Sequence, residues 1–591
     1  TESNITLRSE SMFGAELRPL FTHGGVLLNI CPEFTNTPAY GTNNTACSGA
    51  TDLENVTVEG LRFYDPDPSA TCLTYSASTG SCSSEEVHAI YVSDTVNFLA
   101  QHNFLEAIGD EGIDIYTDGA RIVGNYFKNC PSIRNANGAA LAIDASNVVV
   151  DRNVFDGPSN DPLGDSGSCA NSPCRANTRA IDVATSAGVN RSGTRIRNNQ
   201  IRNAAGNSGI VLGSNAARVS DLKVMNNDIT MLNTDTLECD LDLDDYRCAI
   251  TGSGSTGTPA RADWVIEGNK MNAGMEIVAS GGIEAITIRN NKIEGTIGVG
   301  VTTPGNPLVF EGNVVSGFAE YGLYMTGLNT DTTGSGAVSI RNNSFVGNNS
   351  DTCVDLYDTG GPPQTSGSPD GDCDSDGTTT LLSLIEDTVG MFSDCGTDGV
   401  IPGGVSIVGN TFTASDTANS IDDFVELNGC TDYVANNNIA DFKSASRDTG
   451  SPTIVRSYAF VNAGSGSGNS ITGVKTGTDA LYSGGFIGAD PYHGGVFTGN
   501  SITGRPEYGI YHTGADIVFS NNLVEDAGFR GADISGQRPI CIGNSSRNTI
   551  TAFDKGFTCG SDGTGSGCVS DTAADGVCDL NSICNSGDTD C

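Results

Sequence analysis

"TIRNNKIEGTIGVGVTTPGNPLVFEGN", residues 287–313, says one phrase twice. Asn291 is followed two residues later by Ile293, and 22 residues on Asn313 is followed by Val315, each after an alternating apolar run and a Gly or Asn step. The same asparagine recurs at Asn103, Asn125, Asn153, Asn199, Asn227, Asn269, Asn343, Asn410, Asn437, Asn469, Asn500, Asn522 and Asn548. Several successive gaps are 22 residues and the others are longer, so 22 is the bare unit. A unit that short, built of strands such as "GIDIY" and "RIVGNYF" between Gly, Asn and Asp turns, cannot bury its own apolar face and must stack on copies of itself. In a parallel coil, equivalent residues lie about 4.8 Å apart. At that spacing an inward asparagine can donate to and accept from the next one, so each is read as a rung of a ladder.

The pattern predicts an all-β fold, a parallel β-helix of about sixteen coils with loop insertions and a Cys-rich C-terminal tail. Residues 1–49 are expected to form an N-terminal cap or extended arm, 50–555 the helix and 556–591 a Gly/Asp/Cys-rich tail. The largest gap, between Asn343 and Asn410, predicts a disulfide-stapled subdomain over 350–400. There Leu381, Ile385, Val389 and Phe392 share one helical face.

Composition limits the partners. The 591 residues carry a formal charge of -41, which repels phosphate backbones and anionic membranes, so nucleic acid is excluded as a partner. No apolar run is long enough to span a bilayer. Nineteen cysteines fit neither zinc nor redox motifs and point to an oxidising, extracellular or cell-surface location, with the chain read as a processed mature form. Near neighbours suggest local staples: Cys31 with Cys47, Cys72 with Cys82, Cys169 with Cys174, Cys239 with Cys248, Cys353 with Cys373, Cys395 with Cys430, Cys541 with Cys559, Cys568 with Cys578 and Cys584 with Cys591. Exchanges among them stay open, and Cys130 is read as a buried free thiol. Sequons at Asn4, Asn43, Asn55, Asn190, Asn342, Asn348 and Asn544 permit glycosylation.

The repeat, with "NVTVEGLRF" (Asn55 to Phe63) as an early coil, resembles right-handed parallel β-helix proteins of the pectate-lyase-like superfamily over about residues 50–555. That family includes lyases, hydrolases, phage spikes and adhesins, so the resemblance selects an architecture and leaves function open.

Three phrases, "IDI" at Asp114, "IDA" at Asp144 and "IDV" at Asp182, are expected to stack three carboxylates on one outer face, where a calcium ion would relieve their repulsion. Lyases of the resembled family hold calcium on such carboxylates against an acidic sugar while a basic residue takes the proton. Arg121, Arg152 and Arg179 are near in sequence, though none aligns with such a base; read as a solvated acidic stripe, the aspartates need no function. A second calcium candidate is "DCDSDG", with Asp372, Asp374 and Asp376 but no Glu twelve positions along. Tyr91, Tyr324 and Tyr511 share one outward slot and could stack on a sugar, although aromatic residues are also ordinary strand formers. The five histidines show no metal-ligand spacing. Two functions follow: a structural or adhesive surface protein that assembles with copies of itself into a filament, sheath or layer, or a secreted polysaccharide lyase or glycoside hydrolase using calcium and these carboxylates.

Overall fold

A computed structural model describes residues 4–569, apart from several segments, the longest of which are 32–52, 158–178, 232–247 and 348–388. The chain is a right-handed parallel β-helix in which every coil contributes one strand to each of three parallel sheets. It divides into two compact units, Thr1–Gly295 with Val299–Val309, and Thr296–Gly298 with Phe310–Cys591.

The first unit has nine coils. Register is regular within it apart from one shift between Ile201 and Ala204: Ala100 pairs with Val58 and Ile122, and Leu105 with Phe63 and Phe127. These positions point inward and are fully or almost fully buried, whereas their neighbours along each strand face out, the period-2 alternation of a half-buried strand. Like side chains therefore stack on like. Phe127 and Phe155 lie 4.6 Å apart at 12°. In the second unit, whose second and third sheets hold eight parallel strands each among the described residues, Phe345 and Phe412 lie 5.0 Å apart at 6°.

The bend between the first and second strands explains the repeated asparagine. From Glu59–Arg62 onward it has two residues in every coil. The first takes the left-handed conformation, as at Gly124 (φ 65°), Asn198 (φ 56°), Asn290 (φ 55°) and Gly409 (φ 67°). Gly and Asn tolerate that region best, which is why one or the other usually precedes the rung. The second residue is the rung. Asn125 Oδ1 accepts from the backbone N–H and the amide of Asn103, while Asn125 Nδ2 donates to Ala100 O and Asn153 Oδ1, all at 2.9–3.0 Å. The pattern runs through Asn153, Asn199, Asn227, Asn269 and Asn291 in the first unit. It runs from Asn313 through Asn343 and Asn410 to Asn522 and Asn544 in the second. Buried amides are thereby paired throughout, as burial requires. Because this corner is fixed, insertions go to the other corners of the coil.

Several expectations need correction. Residues 1–49 are not only a cap: Thr6–Arg8, Glu16–Leu17 and Gly25–Ile30 form a first coil, in parallel register with Thr57–Glu59, Arg62–Tyr64 and Val87–Ser93. It was hidden because Ala15 stands where the third and later coils have asparagine. The rung is Asn438 rather than Asn437, which is the left-handed residue (φ 54°). The inward residue after Asn438 is the small Ala440, so the bulkier Ile439 misdirected the reading. The last rung is Asn544, followed by the polar Ser546; Asn548 lies outside the described residues. Val389 and Phe392 lie in a strand, Val389–Asp394, in register with Tyr321–Thr326, and not on a helix. The rest of 350–388 lies outside the described residues. The tail begins with an antiparallel pair, Lys555–Cys559 with Cys568–Val569, in which Cys559 and Cys568 are in register. Cys31 and Cys248 are disulfide-bonded, and Cys130 is a buried free thiol.

Candidate functional site

Parallel register sorts outward side chains of the first unit into columns. On the second sheet one column, Glu106, Lys128, Asp156 and Arg202, alternates in sign. Arg62 reaches Glu106 Oε2 at 2.6 Å and Lys128 Nζ reaches Glu106 Oε1 at 2.9 Å, while Arg202 bonds Tyr126 Oη and Asp156 Oδ2, each at 2.8 Å. Alternation relieves the repulsion that identical charges 4.8 Å apart would suffer.

The third sheet differs. Its outward column runs Tyr91, Asp114, Ala142, Asp182, and all four are buried. Ala142, not Asp144, stands between Asp114 and Asp182, so the three aspartates do not stack as expected. Asp144 follows the end of its strand, its backbone N–H donating to Ile115 O at 2.8 Å. A second column, three residues earlier along the chain, carries His88, Glu111 and Arg179. Gly112 lets this edge close: a Cβ there would lie 2.6 Å from Ala140 O and 3.0 Å from the Phe127 ring.

Three carboxylates of the cluster lie beside basic side chains. Asp144 Oδ1 receives Arg191 Nη2 at 2.8 Å and Nε at 2.9 Å; Asp182 pairs with Arg179 of its own strand; Glu111 Oε2 lies 3.0 Å from His88 Nδ1. Asp114 is left over. Its Oδ2 is 3.9 Å from His88 Nδ1, and its buried Oδ1 has no hydrogen-bond partner. Burial, then the Glu111 charge, push the Asp114 carboxyl well above the ordinary carboxylate range, with His88 opposing and Asp144 adding. The Tyr91 hydroxyl is likewise buried and unpartnered. Burial and then the charges of Asp114, Asp94 and Asp144 raise it above an ordinary phenol. The cluster thus sets the Asp114 carboxyl and the Tyr91 phenol, each raised above its ordinary range by burial, beside the His88 imidazole.

Among the described residues no group of three or more His, Cys, Asp or Glu side chains is placed to hold a metal ion. Asp372, Asp374 and Asp376 lie outside the described residues. Of the tyrosine slot, Tyr324 and Tyr511 fall in one register column of the second unit, through Phe392, Glu426, Val461 and Ile487. Tyr324 is half-buried. Tyr91 is not open to a sugar ring, since it is 6% exposed with its ring 5.3 Å from that of Tyr116. Of the sequons, Asn4 and Asn342 are exposed and Asn55 is half-buried, while Asn544 is a buried rung whose Nδ2 is held by Phe519 O. Asn190 begins a strand, and Asn43 and Asn348 lie outside the described residues. No described helix is long and apolar enough to cross a membrane.

His88, Glu111 and Arg191 were not anticipated. The signal for the first two was present: His88 precedes Tyr91, Glu111 precedes Asp114 and Arg179 precedes Asp182 by the same three residues. Arg191 comes from the neighbouring corner and left no comparable trace.

No protein-family model matches this chain, no curated protein matches it in sequence, and no solved structure matches its fold.

Proposed function

We propose that this chain is a secreted structural protein of a cell surface that assembles with copies of itself, the first coil of one copy receiving strands of another. The observation that carries this reading is the state of the first coil. Leu7 occupies the inward position equivalent to Val58, yet it is 39% exposed where Val58 is 0%. Ile5, Met12 and Phe13 are exposed beside it. A flat parallel edge with apolar side chains is a template for another strand, and natural sheets ordinarily blunt such edges with charge or bulges. A coil of the same repeat, bringing the same register and an aliphatic interior, fits it best. Disulfides at Cys31 and Cys248 agree with an oxidising exterior. The calcium expectation now rests on Asp372, Asp374 and Asp376, because Asp144 and Asp182 already have arginine partners.

The test is negative-stain microscopy with light scattering, under crowding, with and without calcium. Ordered polymers that disappear in Leu7→Lys, a variant that should keep its β-sheet circular dichroism, support the reading; a persistent monomer in the unmodified chain refutes it.

Asp114 favours a second reading, the secreted polysaccharide lyase or hydrolase. A buried, unpartnered carboxyl with a raised pKa next to an imidazole is the kind of group that serves as a general acid. New reducing or unsaturated ends from a polysaccharide panel, lost in Asp114→Asn, would establish it.

A further inference from the structure

The two units present different outer surfaces. In the first unit, the outward columns of the first sheet carry Glu59, Asp151, Arg195, Arg197, Glu267 and Arg289. The equivalent first-sheet columns of the second unit carry almost no charge. One runs Ser339, Ser406, Val434, Ser465, Val496, Val518 in unbroken register. The next contains Val408, Asn436, Ser467, Thr498 and Ser520, with Arg341 at one end paired to Glu311. Across the two-residue bend, the nearest column of the second sheet, Ser344, Thr411, Ile439, Ser470 and Ser501, is also uncharged. The exposed large apolar residues of this unit, Val314, Val434, Ile439, Val496 and Ile542, all lie on these two sheets, with Ile439 reaching 49% and Val496 43%.

From this contrast we infer that the uncharged face of the second unit is a lateral docking surface for the same face of a second copy of this chain. Two physical arguments select that occupant. A chain of net charge -41 repels its own copies, so two copies can meet closely only where acid is absent, and this face lacks it. The face also repeats every ~4.8 Å along the stack, and the surface most commensurate with such an array is another array of the same period, as in packed sheets whose side chains interdigitate. Six coils give a patch of roughly 24 Å by 15 Å. That is below the ~800 Å2 per partner of a stable stand-alone complex, so the contact is weak singly and strong when repeated along a polymer. The inference rests on the proposal that copies associate, but it uses a surface separate from the first coil.

The experiment is oxidative cross-linking of full-length Ser467→Cys, on this face, against Arg121→Cys, on the charged face of the first unit, both exposed enough for labelling. A disulfide-linked dimer is expected from Ser467→Cys and not from Arg121→Cys, and adding Val434→Glu to Ser467→Cys should abolish it. Leu7→Lys in the Ser467→Cys background should lower the yield of the linked dimer but still give it at high protein concentration, where Val434→Glu does not, so failure of the end contact is distinguishable from failure of this one. Equal cross-linking at both sites, or none at Ser467→Cys, would overturn the inference. So would unmodified protein that sediments with an insoluble crystalline polysaccharide as a monomer and loses this with Val434→Glu, because the occupant would then be a glycan.

Discussion

Removing one rung is the perturbation whose consequence follows most directly from the geometry. Asn125→Ala deletes an amide that makes four hydrogen bonds at 2.9–3.0 Å in a site 1% exposed. Two buried donors on Asn103, its backbone N–H and one amide hydrogen, then lose their acceptor. Each orphaned buried donor costs about 1–3 kcal/mol, so the local loss should be about 2–6 kcal/mol, before any cavity contribution. The control is Asn290→Gly, at an exposed left-handed residue (φ 55°), where glycine adopts the same backbone and the change should stay within about 0.5 kcal/mol. Native-state hydrogen exchange by mass spectrometry reads both, peptide by peptide. Peptides covering residues 98–128 should open more easily in Asn125→Ala, with the effect fading over neighbouring coils as expected of a quasi-one-dimensional stack. A loss under about 1 kcal/mol, or an equal loss in Asn290→Gly, would refute the ladder as a source of stability.

Other consequences are open to simpler measurements. The folded state holds the Asp114 proton more tightly than the unfolded state does. Its contribution is therefore fully present at low pH and lost as pH rises through the raised folded pKa, and Asp114→Asn should flatten that slope in thermal melts; an unchanged slope would contradict the burial. Burial pushes the Cys130 thiol up to about 12, so it should resist alkylation at pH 8 in native protein and react only after unfolding, as mass spectrometry can follow. Arg62 bridges Glu16 of the first coil and Glu106 of the third, so Arg62→Ala should speed hydrogen exchange in residues 6–30, with the difference shrinking in high salt.

The period-2 alternation and the 22-residue asparagine interval made the fold legible, because both are direct products of coil geometry. What they could not convey is register. The reading of Asp114, Asp144 and Asp182 as a stack treated similar phrases as equivalent positions, while the backbone pairs Asp114 with Ala142 and lets Asp144 fall past the strand end. The first coil escaped notice for a related reason: with Ala15 at the bend and seven residues between Arg8 and Glu16, it shares the stack but not its signature. The charged cluster was half legible. The Asp and Tyr residues stood out by type, but the burial that raises Asp114 and Tyr91 depends on neighbouring coils that no local pattern describes. The contrast between the charged face of the first unit and the bare face of the second was present in the residues all along, and became readable only once register sorted them into columns.

Where a coil has 22 residues, residues 22 apart lie side by side in adjoining coils. Leu99 and Arg121 are in-register partners, and Val123 is two positions off. Paired cysteines at 99 and 121 should close a disulfide readily in native protein, with those at 99 and 123 staying open; closure of the second pair and not the first would contradict the coil register.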